Sequence, residues 1–210
     1  MDIKKAIPIG IESYKKMLDN NYYYIDKTLL IRDLLKQQSE VTLFTRPRRF
    51  GKTLAQSMLR TFFEKEVTTD GTVMDNSRYF AGKKIMSAGE QYTGHMGKYP
   101  VIFLSLKSAK QPDFETAYSR LRTDIISEFE RHSYLLESDV LTLPQKGRYS
   151  AILENSADFA EYTVSLKFLS DCLKKYHQKK TIILIDEYDV PLENAYFKGF
   201  YDKMVDFIRS

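Results

Sequence analysis

Residues 181–187 read TIILIDE, an uninterrupted apolar run rich in β-branched residues and closed by two carboxylates. A run of this kind reads as a strand buried on both faces, hence central in a parallel sheet, and such a sheet needs helices to cover it. The rest of the chain supplies the matching periods. Val41–Thr45 (VTLFT) and Val101–Leu106 (VIFLSL) are further β-rich runs, the second opened by Pro100. Between and after them lie stretches of helical spacing: Lys27–Gln37 behind an N-cap Asp26, a helix from Lys52, Phe114 to Phe129, and Tyr162 to Tyr176. The last of these ends in Lys174, Lys175 and His177, the charge that a helix C-terminus favours. Phe197, Tyr201, Met204 and Ile208 predict one final helix. Strand–helix alternation predicts an α/β fold with a parallel sheet and flanking helices. Val67–Lys98, which holds five glycines, reads as a long connection with one or two short helices.

Composition narrows the class. With 43% hydrophobic and 29% charged residues among 210, the chain resembles an ordinary globular domain. A net charge of +4 permits a polyanionic partner without demanding one. One cysteine and three histidines exclude a disulfide framework within the chain and a Cys-rich zinc site, and they fit a reducing compartment such as the cytoplasm. Nothing approaches about 18 consecutive apolar residues, so no membrane span is expected. The N-terminal residues lack the continuous apolar segment of a secretory signal.

Two motifs carry chemistry. Gly51-Lys52-Thr53 follows the predicted strand 41–45 and opens a predicted helix. Backbone N–H groups at such a turn point at an anion, and the helix dipole adds favourable potential. Lys52 would reach the β- and γ-phosphates of a nucleotide, and the Thr53 hydroxyl would ligate Mg²⁺. The pattern G-x-x-x-x-G-K-[ST] asks for glycine at position 46, where this chain has arginine. The second motif is Asp186-Glu187 at the C-terminal end of the apolar strand, the edge where parallel sheets bind ligands. Asp186 would hold Mg²⁺ and Glu187 would polarise the attacking water. Arg48, Arg49, Phe50, Gly51, Lys52 and Thr53 thus form the candidate ATP-binding set, Thr53 and Asp186 the candidate metal ligands, and Glu187 and Lys52 the candidate catalytic pair.

Plainer readings stand beside these. Gly51 can be a turn glycine and Lys52 a solvated lysine at a helix start. Asp186-Glu187 can be a strand end and helix cap, with Pro191 starting the next helix. Arg60 reads as a solvated helix residue, Cys172 as core, and the Tyr22-Tyr23-Tyr24 run as packing. The three histidines are scattered along the chain and suggest no histidine-based catalysis.

The segments 8–35, LFTRPRRFGKT (43–53), YPVIFLSL (99–106) and LIDEYDVPLENA (184–195) resemble the AAA-ATPase-like family of bacterial and archaeal proteins. Its hallmark resembles R-P-R-R-F-G-K-[ST], reproduced here at Arg46–Thr53, so the missing glycine looks like a family trait. The resemblance implies one ATP-binding P-loop domain over residues 1–210, of the additional-strand class, hydrolysing ATP with Mg²⁺. It also implies, in many members, a following PD-(D/E)XK nuclease-like domain, through which nucleic acid would be a partner. Relatives continue past the second motif into another strand, so the chain is expected to be an incomplete domain of lowered stability and poor turnover. Two rival readings follow. One is a nucleotide-gated regulatory module with little turnover, controlling an attached effector. The other is a nucleic-acid-binding module using the arginine loop, whose affinity would fall steeply with salt. The oligomeric state is left open.

Overall fold

The computed structural model describes residues 5–45 and 50–209. The chain forms two compact units: Met1–Glu66 with Met74–Tyr99, and Val67–Val73 with Pro100–Ser210.

In the first unit three helices lead: α1 (Tyr14–Asp19), α2 (Leu29–Gln37) and α3 (Lys52–Phe63). Ser13 caps α1 by accepting a bond from the Lys16 N–H. The Tyr14 N–H donates to Ser57 Oγ on α3 at 2.9 Å, and the Tyr14 hydroxyl donates to the Tyr79 carbonyl at 3.0 Å. Tyr14 meets Tyr24 edge-on and also lies against Phe80, which packs on Phe62, so the core here is largely aromatic. The long connection carries two 3₁₀ turns (Ser77–Phe80, Lys84–Ser87) and the short helix α4 (Glu90–Thr93), close to expectation.

Asp26 does a different task from the expected cap. Helix α2 starts at Leu29, two residues later than expected. One Asp26 oxygen accepts from the Thr28 N–H (2.8 Å) and hydroxyl (2.7 Å), and the other accepts from the Lys84 N–H (2.8 Å). The Thr28 hydroxyl oxygen in turn accepts from the Ile85 N–H at 3.1 Å. Burial opposes the charge on Asp26, but these bonds override it and hold its carboxyl below the usual range. Arg60 is likewise tied down rather than solvated: its Nε donates to the buried Glu64 carboxylate at 2.9 Å.

The second unit contains the sheet. Strands β1 (Val101–Ser105) and β2 (Ile182–Asp186) pair in parallel, Val101 opposite Ile182 and Ser105 opposite Asp186. Between them run α5 (Phe114–Arg131), α6 (Leu143–Leu153), α7 (Phe159–Thr163) and α8 (Ser165–His177). After β2 come α9 (Val190–Lys198) and α10 (Tyr201–Arg209). The core joins Ile102 and Leu104 of β1 with Leu121, Ile125 and Phe129 of α5 and Leu169, Cys172 and Leu173 of α8. Helix α6 begins at Leu143, earlier than a helix near Ser150 suggests, because Thr142 and Gln145 form a capping box with Pro144 in the first turn. The stretch from Tyr162 divides at Val164, and the predicted final helix divides at Gly199, whose φ of +80° ends α9.

Two corrections concern the sheet. Val41–Thr45 is not a strand, and among the described residues the sheet has two strands. Val41 (87% exposed) and Leu43 (62%) project into solvent, so an alternating apolar pattern without a paired neighbour leaves that segment irregular. Nor is β2 buried on both faces: Ile183 and Ile185 are exposed, while β1 is the better covered strand.

The outer edge of β1 is closed by side chains of α5. Glu128 Oε1 accepts from the Phe103 N–H at 2.8 Å, and Arg131 donates to the Val101 carbonyl, which also lies 3.2 Å from His132 Nε2. Arg131 pairs with Glu128 through both oxygens. Burial pushes the Glu128 carboxyl up, but the bonds and charges of His132 and Arg131 outweigh it and hold the group at about 2, below its ordinary 4.5. A depressed carboxyl stabilises the fold above pH 4.5, and that contribution is lost as pH falls toward 2. Glu128→Gln is expected to cost about 3 kcal/mol at pH 7 by removing the buried carboxylate charge that pairs with Arg131. In thermal melts the gap between wild type and variant should narrow from pH 5 to pH 2, and a constant gap would contradict this account.

Candidate functional site

The first motif lies in the first unit. Arg48 and Arg49 fall outside the described residues. Phe50 is 60% exposed, and Gly51 occupies the N-cap of α3 with φ +74° and ψ +33°. A Cβ added at Gly51 would meet nothing within 4 Å, so the backbone conformation, not space, favours glycine here. The Gly51 carbonyl accepts the first helical bond, from the Ala55 N–H at 2.9 Å. Glycine offers no side-chain cap. Lys52 and Thr53 are the first two helical residues, both partly exposed, in the turn whose N–H groups an α-helix cannot bond internally. Since 41–45 is irregular, those residues do not form the strand expected ahead of this helix.

Two cavities adjoin this turn. One, of about 310 Å³, has Lys27, Asp33, Phe50, Lys52 and Gln56 on its wall. The other, of about 350 Å³, runs from Gly51 along Leu54, Ala55 and Met58 to Tyr23 and Ile25. They share Lys27, Phe50, Gly51 and Ala55.

The second motif lies in the second unit, at the C-terminal end of β2. Asp186 is 4% exposed and sits in register with Ser105, so both strands end at one edge. Glu187 adopts φ +54°, a left-handed conformation that costs a non-glycine residue about 1–2 kcal/mol. Its carbonyl accepts from the Val190 N–H at 3.1 Å, which turns the chain into α9, where Pro191 occupies the first turn as expected. Asp189 stands at the N-cap of α9 without a side-chain capping bond. The structure therefore gathers Phe50, Gly51, Lys52 and Thr53 in one unit and Asp186 and Glu187 in the other.

Sequence reading missed one cluster. His132 and His177 lie far apart in the chain, yet both bond the Tyr134 hydroxyl, Nδ1 of His132 at 3.1 Å and Nε2 of His177 at 2.8 Å. His132 also lies 3.6 Å from Glu128, so this group extends the closed edge of β1. Cys172 is fully buried, and burial pushes its thiol up to about 11, as befits a core residue. Among the described residues no three His, Cys, Asp or Glu side chains converge as a metal cluster, and no helix is long and apolar enough to cross a membrane.

The family described as Predicted AAA-ATPase matches residues 8–210, and the chain belongs to it. A protein of Azotobacter chroococcum mcd 1, named "Uncharacterized protein in vnfD 5'region", is 25% identical over 195 residues. The match covers 90% of this chain and 30% of that relative, so the chain spans about 30% of the relative's length. No solved structure matches the chain significantly.

The two left-handed positions predict opposite responses. Gly51→Ala should lower stability by about 1 kcal/mol, because alanine pays for the positive φ with no contact in return. Glu187→Gly should leave the melting temperature level or raise it, because it relieves the same penalty. Thermal denaturation of both variants tests this; a drop for Glu187→Gly as large as that for Gly51→Ala would show that Glu187 makes bonds outweighing its backbone cost.

Proposed function

We propose that this chain binds Mg-ATP and serves as the ATPase domain of a larger protein, with the parallel pair β1–β2 as part of a P-loop type sheet. The observation that carries the reading is the opening of α3. A left-handed glycine, which has no side chain to cap the helix, stands at its N-cap and is followed at once by Lys52 and Thr53, in a chain of the predicted AAA-ATPase family. The N–H groups of that turn hold the phosphates, as helix N-termini do for anions. Lys52 adds a mobile positive charge at the β- and γ-phosphates, and Arg48 and Arg49 precede it in the sequence as further positive charge. A hydroxyl and a carboxylate are oxygen donors that suit Mg²⁺, so Thr53 and Asp186 are the residues that would hold it. When bound, Mg²⁺ supplies charge that neutralises the phosphate oxygens. Glu187 orients the attacking water and accepts its proton as the γ-phosphate bond breaks. Positioning and charge neutralisation provide most of the rate in such a transfer, so the strained placement of Glu187 serves aim rather than binding.

Equilibrium binding of a fluorescent ATP analogue, with and without Mg²⁺, tests the reading. Wild type should bind in a magnesium-dependent way. Lys52→Ala should weaken binding at least about tenfold, the scale of one lost charge-assisted contact. Glu187→Gln should bind as wild type does while losing turnover. A folded wild-type chain that ignores the nucleotide would reduce Gly51-Lys52-Thr53 to an ordinary helix start.

A further inference from the structure

The larger cavity beside Gly51 differs in chemistry from its neighbour. Among the described residues its wall carries no carboxylate and Lys27 is its one charged residue, whereas the smaller cavity has Asp33, Lys52 and Gln56. At its rim three large apolar side chains stand in solvent: Tyr23 (58% exposed), Ile25 (63%) and Phe50 (60%). Their direction is built in. Along 22–26 exposure alternates residue by residue, as in an extended chain, so Tyr24 packs inward against Tyr14 while Tyr23 and Ile25 face out. The Tyr23 N–H is fixed to the Ala6 carbonyl at 2.9 Å, and Asp26, one residue past Ile25, is locked to Thr28 and Lys84. The lining also includes Leu54, Ala55 and Met58, which recur at helical spacing on α3 directly after Gly51-Lys52-Thr53.

We infer that this cavity holds the nucleobase of the bound nucleotide, against Tyr23, Ile25, Leu54, Ala55 and Met58. The inference rests on the phosphate-binding reading of α3. A flat, neutral heteroaromatic ring suits an apolar slot that lacks carboxylates. The slot starts at Gly51, so a nucleotide whose phosphates lie on the first turn of α3 has its sugar and base directed into it. Covering Tyr23, Ile25 and Phe50 supplies the apolar burial that a triphosphate alone cannot give. Inorganic triphosphate and ATP therefore distinguish the two halves of the site, since both engage the turn and only ATP carries a base.

Calorimetric titration of the full chain with Mg-ATP and with inorganic tripolyphosphate tests the inference, using wild type, Tyr23→Ala, Ile25→Asp and Lys52→Ala. Tyr23 and Ile25 are exposed, so their variants should melt as wild type does. Tyr23→Ala should weaken ATP about tenfold, the scale of one lost stacking contact, and Ile25→Asp should weaken it comparably. Neither should alter tripolyphosphate. Lys52→Ala should weaken both ligands. If wild type binds ATP and both rim variants bind it equally well, or lose ATP and tripolyphosphate in equal measure, the base lies elsewhere and this inference falls alone. If wild type binds neither ligand, the phosphate-binding reading falls and takes this inference with it.

Discussion

The second unit depends on how β1 is closed. In a parallel pair each strand spends half of its backbone groups on its neighbour, and the other half need partners elsewhere. Those of β1 that face away from β2 find them on α5: Glu128 takes the Phe103 N–H, and Arg131 and His132 share the Val101 carbonyl. A helix that packs its apolar stripe on the strand thereby also hydrogen-bonds the strand's edge. The carboxylate can stay charged while 5% exposed because two cationic or hydrogen-bonding partners lie on its own helix, three and four residues on. Two outward backbone groups of β1 are thereby engaged by α5, whereas Ile183 and Ile185 of β2 are exposed.

That asymmetry fixes where chemistry can sit. The two strands end in register, Ser105 beside Asp186, and the chain leaves β2 through a left-handed glutamate rather than through glycine. Retaining a carboxylate where glycine is the relaxed choice is informative, because the fold alone supplies no reason for it. At the first motif the opposite choice is made: Gly51 adopts its positive φ without strain, and Lys52 and Thr53 follow it as the first helical residues. The same backbone requirement thus appears at both strand-or-segment-to-helix turns and is met by different means.

How far these features were legible in the sequence depends on whether their cause was local. The start of α3 was legible because Gly51-Lys52 is decided by backbone freedom within a few residues. The long helix α5 was legible because its apolar stripe repeats from Phe114 to Phe129. The strand at 41–45 was misjudged because strand formation needs a neighbour, which a β-rich pentapeptide does not specify. The full burial expected for 181–185 was misjudged for the same reason, since coverage of a second face belongs to the packing and not to the run itself. The Glu128 network could have been found: Leu121, Ile125, Glu128 and His132 step by helical spacing, which places two polar residues on the buried face of α5. Polar residues on such a stripe must be partnered, and the nearest unpartnered backbone is a strand edge.

The tyrosine run shows why the distinction between core and binding residue could not be made from composition. Three consecutive tyrosines in an extended segment cannot share one environment, because alternate side chains point to opposite sides. Tyr24 goes to the aromatic core with Tyr14, and Tyr23 goes to solvent at the mouth of the cavity. A packing reading of the run is correct for one residue and insufficient for its neighbour. Which tyrosine faces which way is set by the Asp26–Thr28–Lys84 tie and by the backbone bond between Tyr23 and Ala6, contacts that join residues distant in the chain. The energetic consequence is specific. Burial of Tyr24 contributes to folding in the absence of any ligand, whereas Tyr23, Ile25 and Phe50 leave their apolar area exposed.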